Sequence, residues 1–222
     1  MALPGAAHIR IGFRQDVQRK TVAVEQIVIA QKFALLYPDR VKKLALCATY
    51  ARIRPDIHDA TSRALLGAAP EAEPGETPAE LLDQMDISRL WIGGEDPRRI
   101  LDKVLPLLFT PAFIERNRPT IEGFLGGAGG EMIKDFSPPI EAFMRQAGAC
   151  MAHDTVDELH KIRAETLVLV GKEDVLTPMA YSEELAREIP KAHMVVVDAC
   201  GHGFNFERMA EFNDALARFL KA

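Results

Sequence analysis

Two short loops in the last third of the chain carry residue types suited to acid–base chemistry. The first, VGKEDVLTP at 170–178, holds Asp174 between an apolar run and a helix start. The second, DACGHGFNFER at 198–208, holds His202 between two glycines. A carboxylate and an imidazole on loops leaving successive strands could meet. Asp174 would then orient the ring and stabilise its protonated form, while the second ring nitrogen acts as general base and acid. Gly201 and Gly203 are expected to let the backbone turn sharply around the histidine. Taken singly, such an aspartate is ordinarily a turn or cap residue and such a histidine an ordinary loop residue. On consecutive crossovers, in the order acid then histidine, they read as a pair.

The elements that must position these loops are legible in the apolar patterning. TLVLV at 166–170 and MVVV at 194–197 are short runs of the kind found in parallel strands covered on both faces. Thr177-Pro178 opens a helix to about residue 189, and an amphipathic helix is expected over 206–220. Strands separated by helices of this length imply right-handed crossovers and a parallel sheet, hence an α/β fold. Near the start, residues 27–36 form a helix that is apolar almost all round, which marks a buried helix. Pro38 ends it, and LALCA at 44–48 is the next strand. A further strand is expected at 8–13. Three zones follow: 1–50 as an N-terminal part of the core, 51–160 as an inserted helical cap, and 161–222 as the C-terminal core. The middle zone is punctuated by Pro and Gly, and its helix starts are marked by cap-then-proline pairs at Thr77-Pro78, Thr110-Pro111 and Ser137-Pro138.

With 222 residues, 48% apolar and 27% charged, the composition is that of a globular domain. The net charge of −5 and the lack of a basic cluster argue against nucleic acid. No stretch approaches a membrane span, and the start lacks the apolar core of a secretion signal, so a cytoplasmic protein is expected. Three widely spaced cysteines, Cys47, Cys150 and Cys200, read as reduced thiols. No cofactor or metal motif is found. GGAGG at 126–130 follows no strand and reads as a cap linker. His153-Asp154 lacks a third ligand nearby, and Asp154 is expected to cap VDELHKI.

The segments AQKFALLYPDRVKKLALCATYAR (30–52), RQAGACMAHDTVDELHKIRAETLVLVGKEDVLTPMAYSEELAREIPKAHMVVVDACGHGFNFERMAEFNDALARFL (145–220) and the helical zone between resemble α/β-hydrolase-fold enzymes. The nearest flavour is the enol-lactonase-like esterase and lactonase group, with a helical cap between the sixth and seventh strands. The resemblance covers roughly residues 27–222. It implies that Asp174 corresponds to the triad acid and His202 to the triad histidine, with a small acyl, ester or lactone compound as ligand.

The departure from that pattern is as informative. In such enzymes a strand ends in G-x-S-x-G, the nucleophile elbow, and a buried helix follows at once. An ungapped match puts Val24 at the nucleophile and Val22 and Gln26 at the flanking glycines. Alternatively, TVAVE at 21–25 is the strand and the elbow is deleted before Gln26. Either way no serine is present, since the first in the chain is Ser62, in the cap. Valine has no proton to give and no lone pair to attack with, and its branched Cβ resists strained turns. The family also places several strands and the oxyanion-hole loop before this helix, so a complete anion site is not expected here. Substitutes are weak: Thr21 lies on the wrong side of the turn, Cys47 suits a small buried strand residue, and only proximity to His202 favours Cys200. Trp91, Phe109 and Phe113 suit an apolar acyl pocket or packing of the cap. The expectation is therefore an incomplete α/β-hydrolase-type sheet that keeps the acid–His pair, lacks the nucleophile and is inactive alone. The alternative is a non-catalytic ligand-binding or interaction module. An unpaired sheet edge would favour self-association or a partner chain that completes the sheet.

Overall fold

The computed structural model describes residues 22–23, 29–54, 104–125, 149–150 and 152–222. The strand expected at 8–13, the residues Thr21, Val24, Gln26, Ser62 and Trp91, the GGAGG stretch, and the cap pairs at 77 and 137 lie outside them.

Four parallel strands form one sheet in the order β1-β2-β3-β4: β1 Val22–Ala23, β2 Lys43–Cys47, β3 Glu165–Gly171 and β4 Ala192–Val197. The register runs Val22 to Leu44, Ala45 to Leu167, and Leu167 to His193. β1 falls inside TVAVE. Every residue of β3 after Glu165 is buried, because the sheet is covered on both faces and neither can be polar. Alternation along the strands divides the core. Leu44, Leu46 and Val168 pack with Ala30, Ala34, Leu185 and Ile189 on one face. Ala45, Leu167 and Leu169 pack with Phe204 and Phe219 on the other.

Helix α1 (Ile29–Leu36) differs from its expected burial. Its covered face is Ala30, Gln31 and Ala34, while Ile29 and Leu36 are 52% and 69% exposed and Tyr37 beyond it is 47% exposed. Gln31 explains which face turns inward. Its Nε2 donates to Tyr50 O at 2.8 Å, and its Oε1 accepts from the Thr155 hydroxyl at 2.6 Å. A buried amide with both ends satisfied fixes the helix more specifically than an apolar residue would.

The chain leaves the core near Ala51 and returns alongside it: Thr155 N donates to Ala51 O at 3.0 Å, and Arg52 and Asp154 form an antiparallel bridge. In between, the described residues are helical, a turn at 104–108 and helix α2 (Pro111–Leu125). Thr110 caps α2 as expected, its Oγ1 accepting from Phe113 N at 3.3 Å with Pro111 as the first helical residue. Asp154 accepts from Val156 N at 3.1 Å, at the head of a 3₁₀ turn (Val156–Lys161), where a helix was expected.

Helix α3 (Met179–Glu188) connects β3 to β4. The amphipathic helix expected over 206–220 is two helices, α4 (Phe204–Glu207) and α5 (Met209–Lys221). Arg208 between them has φ −131° and ψ 51°, which breaks the ladder. The break lets Phe204 enter the core beside Phe212, ring centroids 5.5 Å apart, while α5 lays Phe212, Leu216 and Phe219 on the sheet. Lys43 Nζ, on β2, donates to Phe219 O at 2.6 Å near the C-terminal end of α5, where a cation is favoured. Among the described residues no helix is long and apolar enough to cross a membrane.

Candidate active site

β3 and β4 are adjacent and parallel, with Gly171 opposite Val197 at their C-terminal ends. The loops that follow them therefore leave the same edge of the sheet. Asp174 heads the first loop and folds it around its own carboxylate. Oδ1 accepts from the backbone N–H of Leu176 at 2.9 Å and of Thr177 at 2.7 Å. Oδ2 accepts from the Thr177 hydroxyl at 2.7 Å and faces His202 Nδ1 at 3.0 Å. Four donors fill the roughly four lone-pair positions that a carboxylate offers, and the side chain is fully buried. The two residues singled out from sequence are thus brought together.

Thr177-Pro178 precedes α3, which begins at Met179 as expected. The Thr177 hydroxyl lies between acid and ring, 3.2 Å from His202 Nδ1. Its single proton is committed to Asp174, so Nδ1 carries the hydrogen and Nε2 the free lone pair. The His202 side chain is one fifth exposed, against none for Asp174, which is the arrangement of an oriented ring with one accessible nitrogen. Among the described residues no hydroxyl or thiol comes within hydrogen-bonding distance of Nε2. Thr177 is no nucleophile, since it sits on the Nδ1 side and gives its proton to the acid.

The glycines of the histidine loop serve a different end from the one expected. Neither adopts a left-handed backbone; that conformation falls on Ala199, at φ 53°. What Gly203 supplies is room, because a Cβ there would lie 2.8 Å from Phe109 Cδ1, closer still to Cε1 of the same ring, and 3.1 Å from Leu108 O. A Cβ on Gly201 would lie 3.1 Å from Leu108 O. Phe109 stacks on Phe113 with centroids 5.1 Å apart and meets Phe206 edge-on at 6.2 Å, so it packs against the histidine loop.

Cys200 is fully buried and its thiol donates to Val197 O at 3.2 Å. Burial pushes its pKa up to about 11, and the Glu207 carboxylate adds to the rise. A thiol so held is not a nucleophile. Cys47 is half-buried at the end of β2, paired with Leu169. His153 is buried in the Gln31–Thr155 network, its Nε2 3.4 Å from Gln31 Oε1. Among the described residues no three or more His, Cys, Asp or Glu come together as a metal site.

A parallel sheet with paired acid and histidine loops at one edge defines a hydrolase class of architecture. The model of the alpha/beta hydrolase family matches residues 21–215, and the chain belongs to that family. RutD of Caulobacter segnis, for which carbamate hydrolysis is the proposed activity, is 34% identical over 84 residues, covering 38% of this chain and 32% of that protein. Poly(3-hydroxyalkanoate) depolymerase of Ectopseudomonas oleovorans is 28% identical over 198 residues, covering 87% of this chain and 57% of its own length. The enol-lactonase of Burkholderia xenovorans LB400 superposes with a TM-score of 0.61 at 24% identity, over 87% of this chain and 61% of that one. The chain spans less than two thirds of the length of each of these relatives.

Proposed function

We propose that this chain carries the acid–base half of a hydrolase acting on carboxylic esters, lactones or related acyl compounds, and that it has no turnover by itself. The observation that carries the reading is the 3.0 Å contact between His202 Nδ1 and a buried, fully hydrogen-bonded Asp174. Such a pair holds the ring in one tautomer, takes a proton from an attacking hydroxyl and returns it to the leaving group. Carbamates, polyesters and enol-lactones, named for the relatives above, share an acyl carbon that this chemistry opens. The missing half is the attacking atom: in the ungapped match position 24, where the family's serine would fall, is valine, and in the alternative match the elbow is deleted before Gln26.

The test is hydrolysis of an activated phenyl ester by the purified chain and by His202→Ala. The expected result is no rate that depends on His202, together with no labelling by a serine-directed fluorophosphonate. A rate lost in His202→Ala, or label mapped to one residue, would refute inactivity and identify the nucleophile.

A second reading, a ligand-binding or interaction module, is favoured by the surface of α1. Ile29, Phe33, Leu36 and Tyr37 line one side of an open groove of about 470 Å³, with Ala149, Ala152 and His153 opposite. Exposed apolar residues clustered on one helix mark a contact surface. A second copy, or a chain that completes the sheet beyond β1, would bury it. Sedimentation as a monomer at every concentration would argue against self-association.

A further inference from the structure

The histidine loop is tied to a segment nearly a hundred residues earlier by one carboxylate. Glu207 lies on α4, just beyond His202. Its Oε1 accepts from Gly201 N at 2.8 Å and from Thr110 N at 3.1 Å. Its Oε2 accepts from the Thr110 hydroxyl at 2.6 Å. The same hydroxyl accepts from Phe113 N at 3.3 Å, so the N-terminal cap of α2 belongs to the network. In return Gly203 N donates to Leu108 O at 2.6 Å. The backbone amides on both sides of His202 are therefore engaged by this clasp, one through Glu207 and one directly.

We propose that Glu207 is a positioning residue whose carboxylate couples the placement of α2 to the placement of the His202 ring over Asp174. Hydrogen bonds to an ionised acceptor are roughly twice as strong as neutral ones, and Gly201 and Thr110 are both buried. Loss of the acceptor would leave two buried amides without a partner, a cost the loop avoids by moving outward. Because Gly203 and Leu108 are in contact, movement of 108–110 carries the ring with it. The residues of α2 lie in the stretch read as a cap, so a ligand that shifts this helix would reach the acid–base pair through Glu207. The inference rests on the acid–His reading above only for its functional meaning; the tether itself is independent of it.

The experiment uses the full chain and two readouts that need no turnover: amide hydrogen exchange at Gly201, Thr110 and Phe113, and the rate at which diethyl pyrocarbonate modifies His202, mapped by mass spectrometry. Glu207→Ala is expected to speed exchange at Gly201 and Thr110 by about tenfold or more, the loss of one hydrogen bond to a charged acceptor, and to change the His202 modification rate severalfold. Glu207→Gln keeps an acceptor for both amides and can donate to the Thr110 hydroxyl, so it is expected to restore both readouts. Should Glu207→Ala fail to fold, Thr110→Val removes only the hydroxyl arm, and faster exchange at Phe113 with altered His202 reactivity reports the same coupling. Unchanged exchange in these variants would overturn the tether. Faster exchange with unchanged His202 reactivity would overturn the positioning role. Asp174→Asn separates the two readings: if it leaves His202 reactivity unaltered, the acid–His pairing fails while the tether stands or falls on exchange alone.

Discussion

Replacing Gly171 by alanine should uncouple His202 from Asp174 without touching either residue. Gly171 is the last residue of β3, and the loop after β4 folds back directly over it. A Cβ added there would lie 2.7 Å from Cys200 O and closer still to Gly201 O. Ordinary contacts begin at 3.4 Å, so the loop must retreat by at least about 0.7 Å. Both obstacles are backbone atoms, and the loop is further held by Glu173 N donating to Cys200 O at 3.0 Å, so no flexible side chain can absorb the change. If the ring moves with its backbone, the 3.0 Å contact to Asp174 opens to about 3.7 Å, a separation too long for a hydrogen bond. Overpacking of this kind costs about 1–3 kcal/mol, which for a chain of this size lowers the melting midpoint by roughly 2–12 °C. Nitrogen chemical shifts of the His202 ring report the tautomer. The wild type should show hydrogen on Nδ1, and Gly171→Ala a mixture. A midpoint within ~1 °C of wild type, with the Nδ1–H form still dominant, would refute the close-approach argument.

Tyr181 accepts from Arg54 N at 2.8 Å and donates to Arg54 O at 3.1 Å. Tyr181→Phe should therefore destabilise the chain by about 0.5–1.5 kcal/mol, the net worth of an ordinary hydrogen bond, readable as a lower urea midpoint. Burial, helped by the charge of Lys32 and opposed by Asp154, holds His153 below the ordinary imidazole value. The unfolded chain thus binds the proton more readily, so the stability that His153 contributes is complete above about pH 6.5 and falls as the pH drops toward its folded value. Melting midpoints across that window should decline for wild type and decline less for His153→Gln; parallel curves would contradict the assignment. On the proposed reading, with the ungapped match that puts Val22 and Gln26 at the elbow's glycines, Val24→Ser alone should give no turnover. Fluorophosphonate labelling of that variant that disappears in a second change, His202→Ala, would show that the elbow forms regardless.

How much of this could be read from residue order depends on the range of the interaction. β2, β3 and β4 were legible because apolar runs report burial on both faces; the ends of β2 and β3 differ by one residue from the expected runs, and the start of β4 by two, since His193 interrupts its run. His193 pairs with Leu167 and its ring meets Phe219 edge-on at 5.5 Å, a contact decided by tertiary structure. Asp174 and His202 were legible from their position after strand ends. The role of the Thr177 side chain was not legible, because nothing local says that its hydroxyl turns back to the acid. Glu207 and Thr110 are separated by 97 residues, and no pattern within either segment announces their bond. The left-handed turn at Ala199 runs against residue type, which favours the neighbouring glycines. Helix α1 misled in the opposite direction. An apolar sequence all round implies cover all round, yet cover depends on what else packs there.

The geometry also explains what holds the acid–histidine pair in place. Every described hydrogen bond to Asp174 comes from residues 174–177 or from His202, and the loop bearing His202 is fixed by Gly171, Glu207 and residues 108–110. None of these groups belongs to β1. In a parallel sheet with strands about 4.8 Å apart, β1 lies roughly 14 Å from β4, so its ends do not brace the histidine loop. That loop covers the distance back by folding over the end of β3, which is the close approach at Gly171. A change of residue in β1 therefore removes no support from the pair. The pair is thus held as a unit of packing and hydrogen bonding by its own two loops and by residues 108–110, independently of β1.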